Sequence, residues 1–203
     1  MNNITEFIGS GILELYVMGS TSPEEAAEVE RMAAAHPEIR QEIDTISQSI
    51  EAYALAHAVP PKASVKPLLL ATIDYMERLK QGEPAETPPA ITPTSRIGDF
   101  AAWLNRPDLH APADAADIYV KIIGATPGTT TAIAWIKDTA GEEIHHQELE
   151  RFLIVEGTCD IIIGEEAHHL ASGDYFSIPL HVPHIVKVTS SIPCKAVVQR
   201  VSV

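Results

Sequence analysis

The chain has 203 residues, 45% hydrophobic and 5% aromatic, with 14 Lys and Arg against 28 Asp and Glu, a formal net charge of -14. That length leaves room for two small domains, each near the size at which a core becomes self-sufficient. The composition excludes a disordered chain, no apolar run is long enough to span a bilayer, and the acidic surface disfavours direct binding to nucleic acid.

The acidic surplus is spread along the chain: residues 1–80 hold 12 acidic and 6 basic side chains. Such a charge suits a basic protein partner. The start, Met1-Asn2-Asn3-Ile4-Thr5-Glu6, lacks the basic and then apolar order of a secretory signal, so the expected compartment is the cytoplasm.

In chain order, residues 4–80 read as helices. Phe7, Ile8, Ile12, Leu15 and Tyr16 mark a first amphipathic helix. Ser22-Pro23-Glu24-Glu25 is a helix start in which Ser22 caps, Pro23 fits the first turn and Glu25 completes a capping box. His36-Pro37 interrupts the pattern, because proline favours a new helix N-terminus over a helix middle. Ile39, Ile43, Ile46, Ile50 and Tyr53 then recur every three or four residues as one long apolar stripe. Val59-Pro60-Pro61 closes that helix, and Pro67 opens a fourth carrying Leu68, Leu69, Ile73 and Met76. Four such helices form either a compact bundle or an open set that closes on a partner.

Pro84, Pro88, Pro89 and Pro93, with Glu and Thr between them, mark an extended linker over 81–98. Asp99 to Leu104 reads as a short helical lead-in to a second domain over 99–203. From Ile118 the period changes. Residues 118–123, 131–136, 152–155, 160–163, 185–188 and 196–199 are short β-branched runs, punctuated by turn signals such as Thr126-Pro127-Gly128, Glu156-Gly157 and Ser172-Gly173-Asp174. Regularly spaced short strands indicate a sandwich or barrel. The expected fold class is therefore α+β multidomain, a small N-terminal helical domain over 1–80 followed by an all-β domain.

The two cysteines, Cys159 and Cys194, sit inside strand-like runs and form no C-x-x-C pair, so they read as buried structural thiols. The histidines are more informative, since six of nine lie between Glu143 and His184. Imidazoles and carboxylates on short β-prone segments are what a small barrel needs to hold a divalent metal. The segments Glu143-Ile144-His145-His146-Gln147-Glu148-Leu149-Glu150 through Gly157, and Gly173 through Pro179 to His181 and His184, carry that pattern.

These segments resemble the cupin family, whose motifs are written H-x-H-x(3,4)-E-x(6)-G and G-x(5)-P-x-G-x(2)-H. Glu150-x(6)-Gly157 and Gly173-x(5)-Pro179-x(4)-His184 reproduce the spacings. Two departures stand out: no H-x-H is present, and His181 occupies the place of the internal glycine. The resemblance implies a double-stranded β-helix barrel over roughly residues 112–203 and one divalent metal inside it. Counting back from Glu150 gives two registers. One places the first two ligand positions on Glu143 and His145, the other on Ile144 and His146. Isoleucine cannot ligate, so the first register keeps Glu143, His145, Glu150 and His184. The second keeps His146, Glu150 and His184, with His181 available to fill the gap. The first is preferred, and His146 stays in the candidate set. Zinc, manganese, iron and nickel all suit such donors, and zinc is favoured by the resemblance described next. His168 and His169, together with His36, His57 and His110, read as structural or exposed.

The first helices discriminate further. Gly11-Ile12-Leu13-Glu14-Leu15-Tyr16-Val17-Met18-Gly19, Ser22-Pro23-Glu24-Glu25-Ala26 and His36-Pro37-Glu38-Ile39-Arg40 resemble the RskA-like helical domain of anti-sigma factors. A helical anti-sigma domain followed by a cupin barrel is the ChrR-type architecture. The resemblance implies helices that sequester an extracytoplasmic-function (group IV) sigma factor and a cupin half that senses stress. The zinc motif of such helical domains, H-x-x-x-C-x-x-C, is missing, because no cysteine precedes Cys159. The alternative is a cupin metalloenzyme, an oxygenase, isomerase or hydrolase of a small molecule, with a helical dimerisation or docking domain. No nucleophile–base pair stands out, and the side chains expected to face inward, Tyr119, Trp135 and Tyr175, are aromatic. No catalytic residue is assigned, and the regulator is preferred. A small-molecule ligand in the barrel and self-association are compatible with either reading.

Overall fold

Gly9-Ser10-Gly11 splits the first expected helix in two. In the computed structural model, which describes residues 4–203, α1 (Ile4–Ile8) and α2 (Ile12–Val17) flank a turn where Gly11 takes a φ of 81°. Glycine adopts that left-handed conformation without the penalty a Cβ brings. Helix α3 (Pro23–Ala35) begins at the capping box: Ser22 Oγ accepts the Glu25 N–H at 3.2 Å, and the Glu25 carboxylate accepts the Ser22 N–H at 2.8 Å. Helix α4 (Pro37–Ala56) follows with Pro37 in its first turn.

The chain divides into two compact units, Met1–Pro60 and Pro61–Val203. In the first, Leu13, Val29, Met32 and Ile39 are buried, with Phe7, Tyr16, Ile43 and Ile46 half-buried against them. The apolar stripe of α4 is core only in its first half; Ile50 and Tyr53 are exposed.

The expected helical domain of 1–80 and linker of 81–98 differ from this division, and packing gives the reason. Helix α5 (Val65–Lys80) lays Leu68, Ala71, Tyr75 and Leu79 on Ile118, Val120 and Ile122 of β1 (Ile118–Thr126) and Ala132 and Ala134 of β2 (Thr129–Ile136). Arg78 donates to the Ile122 carbonyl and pairs with Asp74 and Glu83, while Lys121 reaches Asp74 at 2.6 Å. The proline-rich segment is bound along the sheet as well. Gln199 Oε1 accepts the buried Ile91 N–H at 3.0 Å, and Gln199 Nε2 donates to the Pro89 carbonyl at 3.3 Å. Pro88 lies so close to Gly124 that a Cβ there would meet Pro88 Cδ at 2.3 Å.

The remaining strands are β3 (Thr139–Glu143), β4 (Glu148–Glu156), β5 (Thr158–Ile163), β6 (Glu166–Ala171), β7 (Tyr175–Ile178), β8 (His184–Val188) and β9 (Cys194–Ser202). They form a five-stranded sheet, β1-β2-β9-β4-β7, and a four-stranded sheet, β3-β8-β5-β6, antiparallel throughout. Alternation sorts the side chains of the larger sheet by face. Phe152, Ile154 and Ala196 pack inward with Ile161, Leu170 and Val186 of the smaller sheet. Leu153, Val197 and Ile133 face outward, covered by Ile91, Phe100, Leu104 and Leu109. Phe100 and Leu104 come from a 3-10 turn (Ile97–Phe100) running into α6 (Ala101–Leu104), which is the expected helical lead-in. Trp135 and Tyr175 pack with this outer cluster, and Tyr119 sits against the Trp135 ring, so none of these aromatics faces inward as expected. Cys159 and Cys194 are neighbouring buried thiols, and their mutual contact together with burial pushes the Cys159 thiol far up. No helix among the described residues is long and apolar enough to cross a membrane.

Candidate metal centre

Strand register brings the acidic and imidazole side chains to one place. Glu143 ends β3 opposite His184, the first residue of β8, and Glu150 on β4 lies opposite Arg200 on β9. Glu150 shares the inward face with Phe152 and Ile154, and His145 enters from the short loop between β3 and β4. The potential ligand atoms of Glu143, His145, Glu150 and His184 all lie within 4.8 Å of one another. One Glu150 carboxylate oxygen is 3.2 Å from His145 Nε2 and 3.3 Å from His184 Nε2, and Glu143 is 3.5 Å from His145. Glu143, Glu150 and His184 are buried, so these side chains are held by the barrel rather than by solvent.

Arg200 completes the cluster. Its Nε donates to Glu150 at 2.8 Å and its Nη2 to Glu143 at 2.9 Å. The sequence reading did not single it out, although a signal existed: it is a basic residue on the inward parity of β9, following Cys194, Ala196 and Val198. Burial alone would raise the Glu150 carboxyl, but hydrogen bonds with His145 and His184 and the charge of Arg200 hold it far below the ordinary range. Burial works against the charged form of His184 too, yet its hydrogen bond to Glu150 leaves it raised.

The donor set fits a divalent cation. With both imidazoles neutral, as metal ligation requires, two carboxylates face one guanidinium and leave a net negative charge inside the barrel that a cation would balance. Two imidazoles and two carboxylates, all converging, are a donor set suited to zinc, manganese, iron or nickel. A cavity of about 90 Å³ adjoins them, its wall formed by side chains such as Val120, Ala132, Phe152 and Val198, with Leu68 of α5 at its lining.

His146 is not part of this group. It turns away from the centre and meets His181, Nδ1 to Nδ1, at 3.0 Å. His181 is the only non-glycine residue among those described with a positive φ, 62°. The position where the cupin motif has glycine is thus held in the left-handed region by a residue with a Cβ, at a cost of about 1 kcal/mol or more. Gly157 keeps its motif identity for a visible reason: φ is 74° and a Cβ would meet Ser190 Oγ at 2.8 Å and the Pro193 carbonyl at 2.9 Å. His168 packs on Phe176, and His169 pairs with Asp160 at 2.8 Å on the exposed side of β6.

Residues 136–199 match the family model described as a cupin domain. That stretch contains all four converging side chains of the centre. The cupin domain has many structural neighbours. The cupin domain of Schizosaccharomyces pombe Cnp3 has a TM-score of 0.41 at 9% identity, over 44% of this chain and 67% of that one. KdgF from Halomonas sp. has a TM-score of 0.41 at 18% identity, over 48% and 94%. A predicted oxalate decarboxylase from Thermotoga maritima has a TM-score of 0.40 at 12% identity, over 42% and 81%. No curated protein matches the sequence.

Proposed function

We propose that this chain is a cytoplasmic anti-sigma factor of the ChrR type. Its helices sequester an extracytoplasmic-function sigma factor, and its cupin domain, holding zinc at Glu143, His145, Glu150 and His184, reads a stress signal or small ligand. The observation that carries this reading is α5. Leu68, Ala71, Tyr75 and Leu79 seat one face of the helix on the barrel, while Val65, Leu69, Ile73 and Met76 form a second apolar stripe that is exposed. A helix apolar on two faces is built for two neighbours, and an open apolar stripe at helical spacing is a common way to recognise a partner. Leu15, Met18, Ile50, Tyr53 and Leu55 of the helical unit are exposed in the same manner. Residues 1–60 carry ten acidic and two basic side chains, a charge complementary to the basic surface of a DNA-binding partner.

The test is co-expression of the full-length chain with each extracytoplasmic-function sigma factor of the same genome. A complex on size exclusion and inhibition of transcription from the partner's promoter are expected, with the Leu69→Asp, Ile73→Asp double variant weakening the complex at least tenfold. Absence of a complex with every such sigma factor overturns the reading.

The cavity beside the centre favours a second reading, a cupin metalloenzyme acting on a small apolar molecule, with the helices as a dimerisation or docking domain. Turnover that disappears in Glu150→Ala and His184→Ala protein, without any sigma complex, would decide for it.

A further inference from the structure

Two imidazoles outside the inner centre face each other with their Nδ1 atoms 3.0 Å apart and ring centroids 5.3 Å apart. Two such nitrogens attract at that distance only with a proton or a cation between them. An ion bound by imidazole nitrogens at about 2.0–2.1 Å, with an angle of about 90–110° between them, sets the nitrogens about 2.9–3.4 Å apart. The observed spacing matches the bite of a two-histidine chelate.

Two further observations point the same way. His181 holds a φ of 62°, a conformation glycine would adopt freely, and its ring meets that of His146. Both residues are exposed, and His146 lines an open hollow with Ile144, His145, Gln147 and Glu148, so water reaches the pair.

We propose that His146 and His181 form an outer, solvent-open site for a borderline divalent ion such as Zn²⁺, Ni²⁺ or Cu²⁺. It is separate from the inner centre, although the peptide link between His145 and His146 joins the two. Two neutral nitrogens and water make it the weaker site, and imidazole ligation selects against Mg²⁺ and Ca²⁺. The proposal rests on neither the sigma-factor reading nor the inner centre.

Equilibrium dialysis of untagged full-length protein against Zn²⁺, with bound metal counted by mass spectrometry, tests it. Two ions per chain are expected for the wild type. His181→Gly relieves the backbone and removes one nitrogen, so it should bind one ion fewer while melting no lower than the metal-free wild type. His146→Ala should likewise lose one ion, and His184→Ala should retain the outer one. A stoichiometry unchanged by both His181→Gly and His146→Ala overturns the site, as does a wild type that binds no zinc. One ion in the wild type, lost in His181→Gly and kept in His184→Ala, supports the outer site and counts against the inner one.

Discussion

The strands and the helices of this protein treat apolar surface in opposite ways. Among the described residues, all the exposed large apolar side chains except Ile192 and Val203 lie between Leu15 and Met76. The barrel strands bury theirs in three clusters, inward, outward and beneath α5. The helical unit rests on four buried side chains, each worth about 1.5–3 kcal/mol at full burial. One region uses its hydrophobicity for its own fold and the other leaves much of it exposed.

The contrast can be broken first at the centre of the barrel. Glu150→Ala leaves Arg200 with Glu143 alone and deprives His145 and His184 of their shared acceptor, and each buried partner left unmet costs about 1–3 kcal/mol. Urea unfolding of the metal-free cupin domain within the full chain should show a loss of that order; a loss below about 1 kcal/mol would mean that the cluster does not organise the barrel. Metal acts next in size. Zinc at a hundred times its Kd should stabilise the wild type by about 2.7 kcal/mol, and His184→Ala should lose most of that gain by the same measurement.

Acid sharpens the account of Glu150. Its folded pKa lies below the unfolded value of about 4.3. The stability it contributes is therefore complete above that value and is lost as pH falls through the folded one. The metal-free wild type should weaken as pH drops below about 4.3, and Glu150→Gln should flatten the acid limb of a Tm–pH curve. On the helical side, Leu69→Asp and Ile73→Asp should change unfolding free energy by no more than about 0.5 kcal/mol, since exposed positions away from packing are tolerant. A large destabilisation would show the stripe to be core. At the seat of α5 the sign reverses: the buried Tyr75 hydroxyl has no hydrogen-bond partner, so Tyr75→Phe should stabilise the protein by about 1 kcal/mol.

Much of the fold was legible because local rules governed it. The Ser22 capping box, Pro37 at a helix start and the β-branched runs after Ile118 each state their structure in a few residues. What was hidden depended on tertiary packing. Leu68 and Tyr75 read as one more helix of a bundle, and nothing in their spacing names β1 as their partner. The prolines between 84 and 93 read as a free linker, whereas Gln199, about a hundred residues later, binds that segment to the sheet.

The site shows the same division. Motif spacing singled out Glu143, His145, Glu150 and His184, and the structure brings them together. Spacing preferred His145 but kept His146 in the candidate set, since both lie in a loop, where strand alternation does not divide them. Arg200 lies fifty residues from Glu150 in sequence, and only the β4–β9 register joins them.

The central claim is that these four side chains bind a divalent ion, and X-ray absorption on zinc-loaded His181→Gly protein tests it most directly. That variant lacks one nitrogen of the outer pair, so the spectrum reports the inner ion. The account predicts one tightly held zinc with two imidazole nitrogens and carboxylate oxygen in its shell, lost in the additional Glu150→Ala variant. A shell without imidazole, or a zinc that persists after Glu150→Ala, would contradict it.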